Sequence, residues 1–164
     1  MAVTTEKSTQ RTNETATPPV LNPVHNAHGR VRSSYFSFTQ GAAAGDATST
    51  ADLIKLPAGK VRVLKTESLV ICSAFGAART IDIGHTGYTQ RDGTAVAASA
   101  DTILDGGDVA SAAAIRMGAG TNALGTDPTV EYDSVDGVLL QAVVAGGTIP
   151  AGATLKGYIQ YIVD

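Results

Sequence analysis

Apolar and polar residues alternate with a period of two along most of the chain after residue 30, which is the spacing of a half-buried strand and not of a helix. Val31-Arg-Ser-Ser-Tyr-Phe-Ser-Phe-Thr predicts a first strand around Tyr35, Phe36 and Phe38. Asp52 to Leu56 predicts a second, closed by Pro57-Ala-Gly, and Lys60 to Thr66 a third, with Val61 and Val63 on one face and Arg62 on the other. The continuous apolar run Leu69-Val-Ile-Cys predicts a strand covered on both faces, by an opposing sheet or by a subunit partner. Ile81 and Ile83 face inward in the next strand, with Asp82 outward. Residues 95–117 lack this alternation, and their alanine-rich pieces predict mostly loop. The period returns at 128–132, 138–144 and 155–163, where Leu155, Gly157, Ile159, Tyr161 and Val163 share a face.

About eight short strands, separated by glycine and proline turns and without a long helix, predict an all-β fold, a jelly-roll-like β-sandwich. Leu56-Pro-Ala-Gly and Ile149-Pro-Ala-Gly repeat one phrase ahead of two strands. Proline presets φ and glycine supplies positive φ, so the two phrases predict equivalent corners of two sheets.

The first 34 residues have a different character. Thr, Asn, Pro, Gln and charge dominate, and no apolar face offsets the ordering entropy of the backbone. This predicts an extended N-terminal docking arm over residues 1–34 and a β-sandwich body over 35–164. Pro18, Pro19, Val20, Leu21, Pro23 and Val24 break the polar background: the prolines favour an extended conformation and the aliphatic residues supply anchors. Arg30 and Arg32 complete the candidate partner-binding set. Roughly 35 extended residues reach on the order of 100 Å, enough to cross a neighbouring subunit. A plain linker or tail is the competing reading.

Composition narrows the function. With 43% hydrophobic residues but only 5% aromatic and no Trp, the core must draw on Val, Ile, Leu and Ala. A formal net charge of -3 argues against nucleic-acid binding, which wants a dense basic face. Lys7, Arg11, Arg30 and Arg32 outnumber Glu6 and Glu14 in the arm, whereas 101–136 is acidic, so the arm either prefers an acidic surface or carries ordinary scattered charge. Cys72, the single cysteine, predicts a buried small hydrophobe and synthesis in a reducing compartment. No signal peptide and no run of membrane-spanning length is read, so synthesis is expected in a cytoplasm and no membrane partner is expected.

Candidate chemistry is sparse. Asp101, Asp105 and Asp108 lie on glycine-rich spacing that resembles a loop of oxygen ligands for a hard cation. The spacing is not that of an EF-hand, and surface turns use the same residues, so no metal and no cofactor is assigned. His25 and His28 fall in the arm and His85 at a strand end, with no nucleophile elbow. No enzyme activity is expected. A carbohydrate-binding module using Tyr88 or Tyr132 is the competing binding class.

Four stretches together resemble a known family: Leu56-Pro-Ala-Gly-Lys-Val-Arg-Val-Leu, Thr80-Ile-Asp-Ile-Gly-His, Asp101 to Ala110 with its Asp-Gly-Gly-Asp-Val, and Ile149-Pro-Ala-Gly through Tyr161-Ile-Val-Asp. As a pattern of strand, turn and glycine over 52–164 they are similar to the head decoration, or cement, proteins of tailed bacteriophages. The resemblance implies a β-rich virion subunit, often a homotrimer, made in the bacterial host cytoplasm and placed on the capsid exterior. Its implied partner is the major capsid protein, whose subunits it bridges. No catalytic or ligand residue is carried over. The length and proline content of the arm also suit a head-fibre base or a tail component.

Overall fold

Extended segments dominate the computed structural model, which describes residues 5–20, 31–46, 48–119 and 128–163. Two short elements come first, β1 (Thr5–Lys7) and the helix α1 (Thr9–Thr15). They are followed by β2 (Val31–Thr39), β3 (Thr50–Leu56), β4 (Gly59–Cys72) and β5 (Thr80–His85). A small hairpin, β6 (Tyr88–Thr89) with β7 (Ala95–Val96), leads into β8 (Ser99–Asp108) and β9 (Ala113–Arg116). The series ends with β10 (Thr129–Ser134), β11 (Val138–Ala145) and β12 (Thr154–Val163).

Two sheets face each other. One has the order β1-β3-β11-β5-β8, the other β10-β4-β12-β2, with β9 paired to β4 beyond β10. Without β1, β9 and the hairpin, eight strands remain in two four-stranded sheets joined by repeated crossings between them, the double Greek key of a jelly roll. Between them lies one core built from the inward alternate residues of every long strand, including Leu53, Val63, Ile81, Leu140, Leu155 and Ile159. All three phenylalanines, Phe36, Phe38 and Phe75, are buried there, together with Tyr132 and Tyr161. A composition poor in aromatics has therefore spent most of them on the interior.

Both Pro-Ala-Gly phrases occupy the corners that their repetition predicts. The first carries the chain from β3 to β4 and the second from β11 to β12. β3 and β11 are antiparallel neighbours, as are β4 and β12, so the corners are equivalent and lie at opposite ends of the sandwich. Gly59 and Gly152 adopt φ of 101° and 69° with open space where a Cβ would sit. The turn needs their backbone freedom and not their small size.

Two expectations need correction, and a third is met on one face of its strand. The runs at Lys60 and Leu69 are one 14-residue strand, β4, interrupted by a bulge: Tyr158 pairs with Leu69 but Gln160 with Leu64. Ser68 is buried at that break, donating its hydroxyl to Leu64 O at 2.8 Å and accepting Gln160 N at 3.0 Å, which satisfies groups the bulge would leave unpaired. The region 95–117 is not mostly loop, because β8 and β9 lie in it. Ile103 and Leu104 are adjacent and both buried, so this strand has no alternation to read, and its pairing with β5 shifts register twice. The run Leu69-Val-Ile-Cys, expected to be covered by an opposing sheet or a subunit partner, is covered on one face by the opposing sheet among the described residues. Val70 and Cys72 point into the core, while Ile71 stands on the outer face.

Candidate assembly surface

The N-terminal residues add to the body as structure and not only as extended chain. β1 runs parallel to β3, with Thr5, Glu6 and Lys7 opposite Thr50, Ala51 and Asp52. Ser8 ends the strand and starts the helix. Its N–H donates to Asp52 O at 2.6 Å and its hydroxyl donates to Leu53 O, while Arg11 N donates to the same hydroxyl oxygen at 3.2 Å. A fully buried serine is thus the last rung of a strand pairing and the N-cap of α1 at once. The helix sequence TQRTNET has no apolar stripe, so periodicity gave no sign of it. The one available signal was a serine preceding a run of residues compatible with a helix. β2 opens at Val31, so residues 31–34 are part of the body's sheet, paired to β12.

Of the eight candidate partner-binding residues, Pro18, Pro19 and Val20 are on the surface beside α1. Val20 N donates to Asn13 O at 3.0 Å, and the Val20 side chain is 53% exposed. Arg32 stands apart from them, in β2 opposite Tyr161 and partly buried. Leu21, Pro23, Val24 and Arg30 lie outside the described residues, as do His25 and His28.

A second surface was not singled out from the sequence. No element among the described residues covers the outer face of the β10-β4-β12-β2 sheet. Val31, Tyr35 and Ile71 on it are 44%, 46% and 49% exposed. Tyr35 and Tyr158 are direct cross-strand partners, their rings tilted at a centroid separation of 5.7 Å. At one margin Glu131 takes Arg62 Nε at 2.7 Å and Lys60 Nζ at 3.3 Å. The Arg62 hydrogen bond, and after it Lys60, holds the Glu131 carboxyl below its usual range. Aliphatic and aromatic side chains interleaved with a few charges make a mixed surface of the kind proteins use against one another.

One cleft, of about 350 Å³, is lined by Arg11, Lys55, Asp136 and Tyr88 among others, and another, of about 230 Å³, by His85, Ser99 and Gln141 among others. His85 packs edge-on against Tyr88 and Tyr132 at 5.2 and 5.3 Å, with Nδ1 2.8 Å from Thr86 O. Tyr132, considered above for sugar stacking, is 2% exposed and has no face to offer a ligand. The acidic residues 101, 105 and 108 are strung along β8, where four residues cover roughly 13 Å. Asp101 accepts Ser99 Oγ and Asp108 accepts Ala110 N. Among the described residues no three His, Cys, Asp or Glu side chains converge as a metal site would require. No helix among them is long and apolar enough to cross a membrane. Cys72 is buried with its thiol directed at Ala113 O, and burial pushes the thiol pKa up.

No protein-family model and no curated protein matches the chain. Among solved structures it is similar to a chain of the cyanophage Pam1 capsid asymmetric unit, at 16% identity and a TM-score of 0.52, over 88% of this chain and 93% of that one. A likeness at this identity is a likeness of fold. A chain of the virus-like particle of extra small virus, from the giant freshwater prawn Macrobrachium rosenbergii, aligns over 89% of this chain at 12% identity. Its TM-score of 0.28 is too low to carry an argument.

Proposed function

We propose that this chain is a structural protein of a virion: a capsid decoration subunit that sits on the outer face of a phage head and bridges coat subunits. The observation that carries the reading is the uncovered outer face of the β10-β4-β12-β2 sheet, where Val31, Tyr35 and Ile71 meet solvent. A jelly roll that turns aliphatic and aromatic side chains outward on one sheet is suited to being covered by protein. The fold shared with a phage capsid chain supports the same class of role.

In this reading the residues around Pro18, Pro19, Val20, Leu21, Pro23 and Val24, with Arg30 and Arg32, contact the major capsid protein. Each aliphatic anchor fully buried on the coat would contribute on the order of 1.5 to 3 kcal/mol before ordering costs. Three subunits joined as a homotrimer would multiply modest contacts, because docking of one segment raises the effective concentration of the others.

Deleting residues 1–30 removes all of this set except Arg32 while sparing every strand from β2 onward. The truncated protein is expected to keep its β-rich circular dichroism and to lose co-sedimentation with expanded heads of its own phage. Full-occupancy binding by the folded truncation would overturn the role given to the N-terminal residues. Failure of the intact protein to bind any head would overturn decoration itself.

A further inference from the structure

We infer that the outer face of the β10-β4-β12-β2 sheet packs on the same face of a second copy of this chain, about a two-fold axis that crosses the strands at Leu64 and Gln160. The inference rests on the reading of the chain as an assembling subunit, and it names the partner for the surface that carries that reading.

The register sets out the face as rows of paired residues. Thr129, Leu64, Gln160 and Ser33 form a central row. On one side of it lie Arg116, Leu69, Tyr158 and Tyr35. On the other lie Glu131, Arg62, Ile162 and Val31. Along β12 both flanking rows are two residues from Gln160, so they are equally distant from the centre. β9 and β10 pair with the same side of β4, one toward each end, which puts Arg116 and Glu131 on a single margin.

An aligned pair of such faces has two possible two-fold axes. An axis along the strands lays β9 and β10 over β2 of the second copy. Glu131 is then pressed on Val31 and Arg116 on Tyr35, and each charge loses water without gaining a counter-charge. An axis across the strands lays every strand over its own copy and exchanges the two flanking rows. Arg116 then faces Glu131 of the second copy, and the symmetry makes this pair twice. Tyr158 faces Ile162, Tyr35 faces Val31, and Leu64 meets Leu64. Arg62 falls opposite Leu69, which its aliphatic stem covers while its charge stays on Glu131. Both members of the charged pair keep capacity for it. Arg116 donates one N–H to Thr66 O at 3.2 Å and has others, and Glu131, which accepts Arg62 and Lys60, has about four acceptor sites.

The size of the face sets the strength. Four strands by eight residues measure roughly 15 Å by 25 Å before side chains widen them, on the order of 500 Å² per copy. Two copies then bury about 1,000 Å², the threshold for a specific contact. The pairing is therefore weak between free subunits and firm between subunits held side by side on a shell. Being two-fold, it joins subunits of neighbouring trimers and not those within one.

The test is crosslinking of cysteine variants of the full-length protein with a short bismaleimide, at high concentration and on heads, the unsubstituted chain reporting any reaction at buried Cys72. Ser33→Cys lies on the axis and is expected to give a covalent dimer by itself. Val31→Cys and Tyr35→Cys, roughly 13 Å apart along β2, are expected to crosslink with each other in a mixture and not within either variant alone. Adding Arg116→Glu to Ser33→Cys sets carboxylates against one another and is expected to remove most of the dimer. A Ser33→Cys protein that stays uncrosslinked both free and on heads overturns the pairing. So does its reaction with coat protein alone, which would give the face to the shell. An undiminished dimer with Arg116→Glu, or Tyr35→Cys joining itself, overturns the axis. Co-sedimentation of the unsubstituted protein with heads is read separately, so failure of pairing and failure of decoration are distinguishable.

Discussion

Tyr132 places its hydroxyl 3.0 Å from Thr102 Oγ1 beneath His85 and Tyr88, and burial raises its pKa, an effect the Thr102 hydrogen bond offsets only in part. The sign of the consequence is fixed by linkage. An unfolded tyrosine ionises near 10, while the folded one keeps its proton, so the native state loses stability as pH climbs above about 10. Comparing wild type with Tyr132→Phe by urea unfolding at a series of pH values should show the wild type's advantage shrinking above that point; a gap that stays constant would remove Tyr132 as its source. The same burial removes Tyr132 from the carbohydrate reading, whose other stacking candidate, Tyr88, is partly exposed and lines a cleft. The sequence placed Tyr132 in a strand but not on its interior face, because aromatic residues suit a binding groove and a core equally well. Ser8 marks the opposite limit. It bonds to main-chain atoms of Asp52, Leu53 and Arg11, and a main-chain partner leaves no trace in the identity of the residue that supplies it.

At the scale of elements, β4 depends on one hydroxyl to continue through its bulge. Removing it in Ser68→Ala leaves Leu64 O and Gln160 N without their buried partner, at a cost of about 2 kcal/mol. The expected loss of stability in chemical denaturation is accompanied by faster amide exchange at Gln160. Unchanged stability would mean that water or a shifted backbone serves those groups equally well. β12, with its regular alternation, was legible residue by residue, β2 and β11 were legible as strands, and the paired Pro-Ala-Gly phrases marked two corners between sheets. β8 and β9 were not, because glycine, aspartate and alanine have poor strand propensity and only their partners β5 and β4 hold them extended. β1 and α1 were hidden for a related reason: a three-residue parallel strand and a polar helix owe their form to the edge they lie on.

Across the whole molecule, the class of fold was readable from the number of strands and the spacing of turns, whereas the partition of strands into sheets was not, since a period of two is the same in either sheet. The uncovered outer face was half visible. The unbroken run Leu69-Val-Ile-Cys asked for a cover on both sides, and only one cover is present within the chain. β12 has the largest consequence at this scale. It follows every other strand along the sequence, yet it pairs with β4 on one side and β2 on the other, so it is interior to its sheet. A nascent chain leaving the ribosome therefore holds β2 and β4 with a gap between them until residues 154–163 emerge, and at roughly 5 to 20 residues per second that interval lasts seconds. Folding must wait for translation to reach β12. A chain stopped at residue 153 is expected to lack a cooperative thermal transition, and a native-like transition in that fragment would refute the point. Prematurely terminated copies would then never present the sheet face on which assembly is proposed to depend, so the topology itself would keep unfinished chains out of the proposed assembly.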